Sequence, residues 1–287
     1  MPSDRLFFFG TADFSAPALE ALIEAGFNIV AIITKPDKPG GRGQKLIVPK
    51  VKQIAEKHGI KVFQPIKFKD IREELTALKP NAGVVVAYGK IIPQSVIDLF
   101  PKGLINTHAS LLPKFRGPAP IEAAILAGEK ETGITLMQID AGMDTGPTYV
   151  AESISIEDTN RLELYEKLSK LGSEMLVKHL PDILAGKLQP KVQDESKASV
   201  IGMISKEDAD IDWNLSAEQI ERKIRAHLGW PGSKTKLGEI EVTITAAHTG
   251  EPGPKDLARR SLIIDRLKPA GKKEMTGREF LAGHPNS

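Results

Sequence analysis

Short apolar runs alternate with amphipathic stretches through the first 185 or so residues of the chain. Leu6-Phe7-Phe8-Phe9 stops at Gly10, and residues 17–24 then repeat apolar positions at helical spacing. The same alternation predicts strands at 29–34, 61–63, 82–87, 103–106, 134–139 and 148–156, and helices at 51–58, 70–78 and 121–127. A run such as Ala82-Gly83-Val84-Val85-Val86-Ala87 has no polar face, which fits a central strand covered on both sides. The order predicts an α/β fold, Rossmann-like, with a largely parallel sheet. From Arg161 onward Leu164, Leu168, Leu171, Met175 and Ile183 mark one long helix, which Pro181 bends or ends near its close. Asn160 with Glu163 three residues later is a capping-box pattern at its start.

The periodicity fades over 186–206, which reads as a linker crossing the surface. A helix over 217–228, a turn at Trp230-Pro231-Gly232 and strands over 239–246 and 261–267 make a second, smaller unit. The expected organisation is therefore 1–189, a linker 190–206, and a C-terminal domain 207–287 that Trp213 and Trp230 anchor. Gly10-Thr11-Ala12-Asp13 lacks the G-x-G-x-x-G pattern, which argues against a dinucleotide despite the Rossmann-like layout.

Composition narrows the class only a little. With 41% hydrophobic and 26% charged residues over 287 positions, the chain reads as an ordinary globular protein rather than a disordered one. The net charge of +2 is too weak to argue for nucleic acid, but its distribution is uneven. Between Lys35 and Lys52 six bases face Asp37 alone, and between Lys255 and Arg278 eight bases face three acids, so each segment carries +5. The absence of cysteine removes disulfides, thiolate metal sites and a cysteine nucleophile together. The histidines other than His108 lack partners at ligand spacing, so no metal site is expected. No apolar run approaches roughly 18 residues, and a strand begins almost at once, leaving no room for a signal peptide. A cytoplasmic location follows as the expectation.

The chemistry concentrates in Asn106-Thr107-His108, running into Ala109-Ser110-Leu111-Leu112-Pro113-Lys114-Phe115-Arg116-Gly117-Pro118, and in Gly142-Met143-Asp144-Thr145-Gly146. An i, i+2 spacing on a strand puts Asn106 and His108 on one face. Glycines around Asp144 allow a tight loop to return a carboxylate to the histidine. An amide donor, an imidazole and a carboxylate suffice for acyl transfer. A lone histidine at a strand end is better read as satisfied by backbone, and Asp144 alone as bracing a turn. The combination outweighs both readings. Between Lys35 and Lys50, Pro36, Pro39, Gly40, Gly41 and Gly43 suit a flexible cationic loop, too polar to be packed, that captures phosphate.

These motifs, taken in order, resemble the folate-dependent formyltransferases, and within them the branch that acts on initiator methionyl-tRNA. The resemblance rests on Phe9-Gly10-Thr11 with Phe14, Thr34-Lys35-Pro36-Asp37-Lys38-Pro39, Val84–Gly89, Asn106–Pro120, Met137–Gly146, Trp230-Pro231-Gly232 and, at the far end, Pro269–Lys273 with Phe280-Leu281-Ala282-Gly283. It implies a monomeric enzyme that moves the formyl group of 10-formyltetrahydrofolate onto the α-amino group of methionine esterified to initiator tRNA. It further implies Asn106, His108 and Asp144 as the catalytic residues, Ser110, Leu111, Leu112, Pro113 and Asp140 around the folate, and Arg42, Lys38, Lys45, Lys272 and Lys273 on the tRNA, with Arg42 as a wedge against its first base pair. The family's C-terminal β-barrel, OB-like in form, is shortened here, because only 57 residues follow Trp230 and the Gly/Pro-rich stretch after Ala246 stands where barrel strands are expected. Three alternatives share parts of the pattern: an amino-sugar nucleotide formyltransferase, a hydrolase that releases formate from the folate, and a non-catalytic RNA-binding relative.

Overall fold

A computed structural model describes residues 4–40, 45–253, 256–259 and 261–284 of the chain. The chain clusters into two compact units: Met1–Pro118, Gly133–Ile154 and Tyr165–Val200 form the first, and Ala119–Thr132, Ser155–Leu164 and Ile201–Ser287 the second. This partition differs from contiguous domains 1–189 and 207–287, because two short stretches within residues 1–189 cluster with the C-terminal residues. The helix Pro120–Ala127 is one of them, and it packs on the helix Ala217–Ala226.

The main sheet has seven strands: β1 (Leu6–Gly10), β2 (Ile29–Ile33), β5 (Lys61–Phe63), β6 (Ala82–Val86), β7 (Leu104–His108), β8 (Glu131–Gln138) and β9 (Thr148–Ser155). Their order is β5-β2-β1-β6-β7-β8-β9. The ladders from β5 to β7 are parallel, and β8 runs antiparallel to β7. Every residue of β1 and β6 is buried, as expected for strands covered on both faces. The helices along this part of the chain are α1 (Ala16–Glu24), α2 (Lys50–Lys57), α3 (Arg72–Ala77), α4 (Gln94–Ile97), α5 (Pro120–Ala127) and α6 (Arg161–Leu184). Helix α6 continues through Pro181 to Leu184, and the Asn160 side chain accepts from the backbone N–H of Leu162 and Glu163 at its start. Under β1 and β6, Phe7 meets Phe100 edge-on at 5.3 Å and Phe9 meets Tyr88 at 5.7 Å. Such contacts add about 0.5–1.5 kcal/mol each beyond area burial. The Tyr88 hydroxyl finds no partner in this core, and burial pushes its pKa up to about 12.

One expectation for this unit is overturned. The cationic stretch after Lys35 is not wholly unpacked: β3 (Lys38–Gly40) and β4 (Lys45–Ile47) pair antiparallel, Lys38 opposite Ile47 and Gly40 opposite Lys45. The apolar Leu46 and Ile47 supply strand-forming residues, although both remain 60% exposed. Arg42 lies outside the described residues.

The smaller unit carries an antiparallel sheet of β10 (Ser233–Leu237), β11 (Ile240–Thr249), β12 (Ala258–Arg259), β13 (Leu262–Pro269) and β14 (Met275–Thr276). The path is β10-β11-β13-β12, with β14 also on β13. Among the described residues this path does not return to its first strand, so the expected shortened barrel takes the form of an open sheet. Helices α7 (Ala217–Ala226) and α8 (Gly277–Gly283) complete its core, each opened by a full capping box, Ser216 with Gln219 and Thr276 with Glu279. Ile220, Ile224, Val242, Ile244, Leu267 and Phe280 meet there. Trp213 packs against this cluster and donates to Thr235 at 2.8 Å, whereas Trp230 is 45% exposed and lies outside the cluster. A turn over residues 227–231 joins α7 to β10.

Phe280 is fully buried and stacks on His284 with ring centroids 4.6 Å apart. Phe280→Ala should destabilise the C-terminal unit by about 3–5 kcal/mol. Denaturant titration of the full chain, followed by fluorescence of Trp213 and Trp230, will show the earlier transition.

Candidate active site

Strand β7 sorts its side chains by parity. On one side Thr107 meets α6, where a Cβ added to Gly172 would stand 2.8 Å from the Thr107 methyl group. On the other side stand Asn106 and His108. His108 is 6% exposed, while Asn106 is half-buried and its amide has no hydrogen-bond partner among the described residues. A half-buried amide left unpaired is a donor available to a substrate.

The imidazole is gripped from two loops. Nε2 lies 2.9 Å from the Phe115 carbonyl oxygen, and Nδ1 lies 3.6 Å from the Asp144 carboxylate. A carbonyl only accepts, so Nε2 carries a proton and donates it. Nδ1 is then the one ring nitrogen left to exchange a proton, and it faces the carboxylate across a gap longer than a hydrogen bond. Asp144 Oδ2 itself accepts from the backbone N–H of Gly117 at 2.9 Å.

The strand order makes the approach of Asp144 less obvious. Because β8 is antiparallel to β7, Gln138 leaves the sheet opposite Ile105, near the start of β7. The connection to β9 must double back over the sheet face for Asp144 to stand beside His108. It does so tightly: a Cβ on Gly146 would come 1.9 Å from the Gln138 carbonyl oxygen. Asp140 braces the turn, accepting from the Gly142 N–H at 3.0 Å and from the Thr145 hydroxyl at 2.8 Å.

The loop 110–113 after β7 is held from beneath. Ser110 is fully buried, and its hydroxyl donates to the Lys114 carbonyl at 2.6 Å. Thr135 on β8 donates to the Ser110 carbonyl at 2.7 Å and accepts from the Leu112 N–H at 3.1 Å. Leu111, Leu112 and Pro113 are half-buried. Leu111 packs beside Gly133, where a Cβ would meet its methyl at 2.7 Å.

The sequence did not mark the third segment at this site. Residues 193–199, expected within a surface linker, press against both loops, and Gln193 is 7% exposed. Gln193 joins Arg116, 3% exposed, whose charge Glu195 neutralises. Glu195 and, farther off, Asp140 and Asp144 hold the Arg116 proton more firmly than usual, and the guanidinium in turn lowers the Glu195 pKa. The one available signal was an arginine inside the otherwise small and apolar Phe115-Arg116-Gly117-Pro118.

The basic residues divide differently. Lys38 is exposed at the head of β3, and Lys272 and Lys273 are exposed in the turn before β14. Lys45 opens β4. Lys35 is half-buried at the end of β2, and burial, then Lys38 and Lys90, depress its pKa. Asp37 does not relieve it, because its carboxylate is engaged by Lys52 at 2.7 Å and Gln64 at 2.7 Å.

An α/β sheet with an amide and an imidazole on one face of a strand, and a carboxylate 3.6 Å from the imidazole, supplies the groups that a group-transfer enzyme of the acyl class uses. Comparison with known proteins makes the class specific. The Formyl transferase model matches residues 4–180, and the Formyl transferase, C-terminal domain model matches residues 203–255. The methionyl-tRNA formyltransferase of Halorhodospira halophila is 41% identical over 297 residues, covering 97% of this chain and 96% of the relative. The chain belongs to the formyl transferase family. Solved structures share the fold at lower identity. Methionyl-tRNA formyltransferase from Clostridium thermocellum superposes with a TM-score of 0.61 at 18% identity, over 93% of this chain and 98% of that one. HypX from Aquifex aeolicus in complex with tetrahydrofolic acid gives 0.66 at 17% identity, over 97% of this chain. The chain spans about half the length of HypX, 46%. Among the described residues no helix is long and apolar enough to cross a membrane.

Gly146→Ala tests the doubled-back loop. A Cβ cannot fit against the Gln138 carbonyl without shifting the backbone two residues from Asp144, so the 3.6 Å approach to His108 is disturbed. Formyl transfer should fall by at least about tenfold and stability by about 1–3 kcal/mol, read from steady-state rates and thermal denaturation.

Proposed function

We propose that this chain transfers the formyl group of 10-formyltetrahydrofolate to the α-amino group of methionine esterified to initiator tRNA. The reading is supported by the 3.6 Å approach of Asp144 to His108 Nδ1 and by Asn106, two positions earlier on the same strand face. The relative from Halorhodospira halophila supports the choice of acceptor, matching nearly the full length of both chains. The location proposed is the cytoplasm, where charged initiator tRNA is used.

The chemistry follows from the geometry. The amine nitrogen attacks the formyl carbon, negative charge collects on the former carbonyl oxygen, and collapse breaks the bond to the folate nitrogen. The free amide of Asn106 is placed to donate to that oxygen, an interaction whose loss costs about 3–4 kcal/mol in comparable sites. The attacking nitrogen must shed a proton, and His108 Nδ1 is the ring nitrogen free to take it. Positive charge arriving there stands beside the Asp144 carboxylate, which stabilises it. The proton then returns to the departing folate nitrogen, so no charge is left on the protein. Leu111, Leu112, Pro113 and the Asp140 turn are proposed to hold the pterin, apolar side chains on its faces and backbone on its edge. Ser110 serves that loop from within, since its hydroxyl is spent on Lys114. Arg42, Lys38 and Lys45, with Lys272 and Lys273, are proposed to meet tRNA phosphates.

The test is incubation with 10-formyltetrahydrofolate and, in separate arms, charged initiator tRNA, an amino-sugar nucleotide, or water alone. Formyl-methionyl-tRNA is the expected product. Product in the sugar arm only, formate in the water arm only, or no reaction would each overturn the reading. Asp144→Asn and His108→Ala should each lower kcat at least about a hundredfold in protein that circular dichroism shows to be folded. Because only the uncharged amine attacks, kcat/KM should fall toward about tenfold per pH unit on the acid side. Arg42→Ala should raise KM for charged tRNA and leave folate affinity unchanged, as separate titrations of the two substrates will show.

A further inference from the structure

We infer that Gln193, locked in place by Arg116 and Glu195, is the positioning residue that holds Asp144 against His108. The inference rests on the catalytic roles proposed above, and it assigns a function to a segment that meets Asp144 and Phe115 through their backbone.

Both arms that grip His108 are held in unfavourable backbone. Asp144 has φ +55° and Phe115 has φ +58°, the left-handed region that side chains with a Cβ rarely occupy. Each such residue costs about 1 kcal/mol or more and persists only where the surroundings over-determine it. The surroundings here are one short segment. The Gln193 Nε2 group donates to the Asp144 carbonyl at 2.9 Å and to the Gly146 carbonyl at 2.7 Å. Its Oε1 accepts from Arg116 Nε at 3.1 Å and Nη2 at 2.9 Å. Both amide hydrogens and both lone pairs are therefore spent. Carbonyls accept only and guanidinium donates only, so the amide has a single workable orientation.

Arg116 is fixed in turn. Its Nη1 and Nη2 reach the two oxygens of Glu195 at 2.9 and 2.7 Å, a fork that compensates a buried charge. Four residues after Glu195, Ser199 completes the grip from the other side. Its hydroxyl accepts from the Phe115 N–H at 2.8 Å, and its carbonyl accepts from the Arg116 N–H at 2.8 Å. Phe115 is the residue whose carbonyl holds His108 Nε2. One segment, 193–199, thus sets both the imidazole and the carboxylate, and the 3.6 Å gap between them depends on it. A shift of about 1 Å at such a gap is enough to cost two orders of magnitude in rate.

The informative variant is Gln193→Glu. It keeps length and the Arg116 contact but turns both donors facing carbonyls into acceptors. We expect kcat to fall at least thirtyfold, KM for folate and charged tRNA to stay within about twofold, and the acid limb of the kcat profile to move. Glu195→Gln, which can still accept from Arg116, should recover most of the rate lost in Glu195→Ala. A double variant Gln193→Glu with Asp144→Asn should be no slower than Asp144→Asn alone, because both act through one carboxylate; a purely structural defect would multiply. Should Gln193→Glu fail to fold, Ser199→Ala reads the clamp from the histidine side, with kcat expected to fall about fivefold at unchanged KM. Near-normal kcat, a rise confined to KM, or multiplying losses would overturn the inference. If Asp144→Asn and His108→Ala themselves kept near-normal rates, the catalytic reading would fail instead.

Discussion

The hydrogen bond from His108 Nε2 to the Phe115 carbonyl constrains the whole site. A carbonyl partner settles the tautomer, the ring plane and the identity of the nitrogen that remains for chemistry. With Nε2 occupied, Nδ1 alone can meet a substrate proton, and only a carboxylate on the Nδ1 side can respond to the charge it acquires. Asp144 stands on that side, tethered through Gly117, the second residue after Phe115 in the same loop. Imidazole and carboxylate are thereby referenced to one piece of backbone, which residues 193–199 hold in turn. Precision of this kind matters because catalytic contributions decay over fractions of an ångström.

The fold supplies the stiffness this arrangement needs. Strand β7 lies between β6 and β8, and its Thr107 face is closed by α6 at Gly172. Parallel strands carry their connections outside their ends, which is why Phe115, Lys35 and the loop after β6 all lie where chains leave the sheet. The reversal at β8 breaks that rule, and it obliges the Asp144 loop to fold back across the face. Loops are poor at holding strained residues by themselves, having few buried contacts. Here a buried arginine and a buried glutamine replace the missing packing. An ion pair at such a position need not add net stability, since desolvation offsets much of its attraction. Its value lies in direction: a fully satisfied polar network admits one arrangement, whereas apolar packing would admit several.

Much of the fold was legible because burial writes itself into periodicity. The runs Leu6–Gly10 and Ala82–Val86 have no polar face, and both are wholly buried central strands. The helix over α6 followed from its apolar spacing, although Pro181 was accommodated within the final turn rather than ending it. Short elements with little burial were not legible. The β3–β4 hairpin contains Pro39 and leaves Leu46 and Ile47 in solvent, so neither alternation nor composition marks it. Helix α8, by contrast, carried a readable signal in Thr276 and Glu279, hidden inside a stretch that seemed only basic. Trp230 shows the limit of reasoning from residue type, because a large aromatic in a Pro-Gly turn stayed largely outside the core.

The sequence by itself determined which residues could do the chemistry and that two of them share a face. Asn106 and His108 are two apart on a strand, and a local rule of geometry suffices to align them. Motif order likewise carried the resemblance to formyltransferases, since it needs no coordinates. Only the tertiary structure decided how Asp144 reaches the histidine, which imidazole nitrogen remains free, and that a polar stretch read as a linker packs beneath both loops. The free nitrogen follows from a loop contact seven positions apart, His108 with Phe115, and the other two outcomes depend on contacts 27 to 84 positions apart, such as Gly117 with Asp144 and Phe115 with Ser199. Hydrogen-bond partners at such separation are chosen by the path of the backbone in space, and no local pattern of side chains encodes that path.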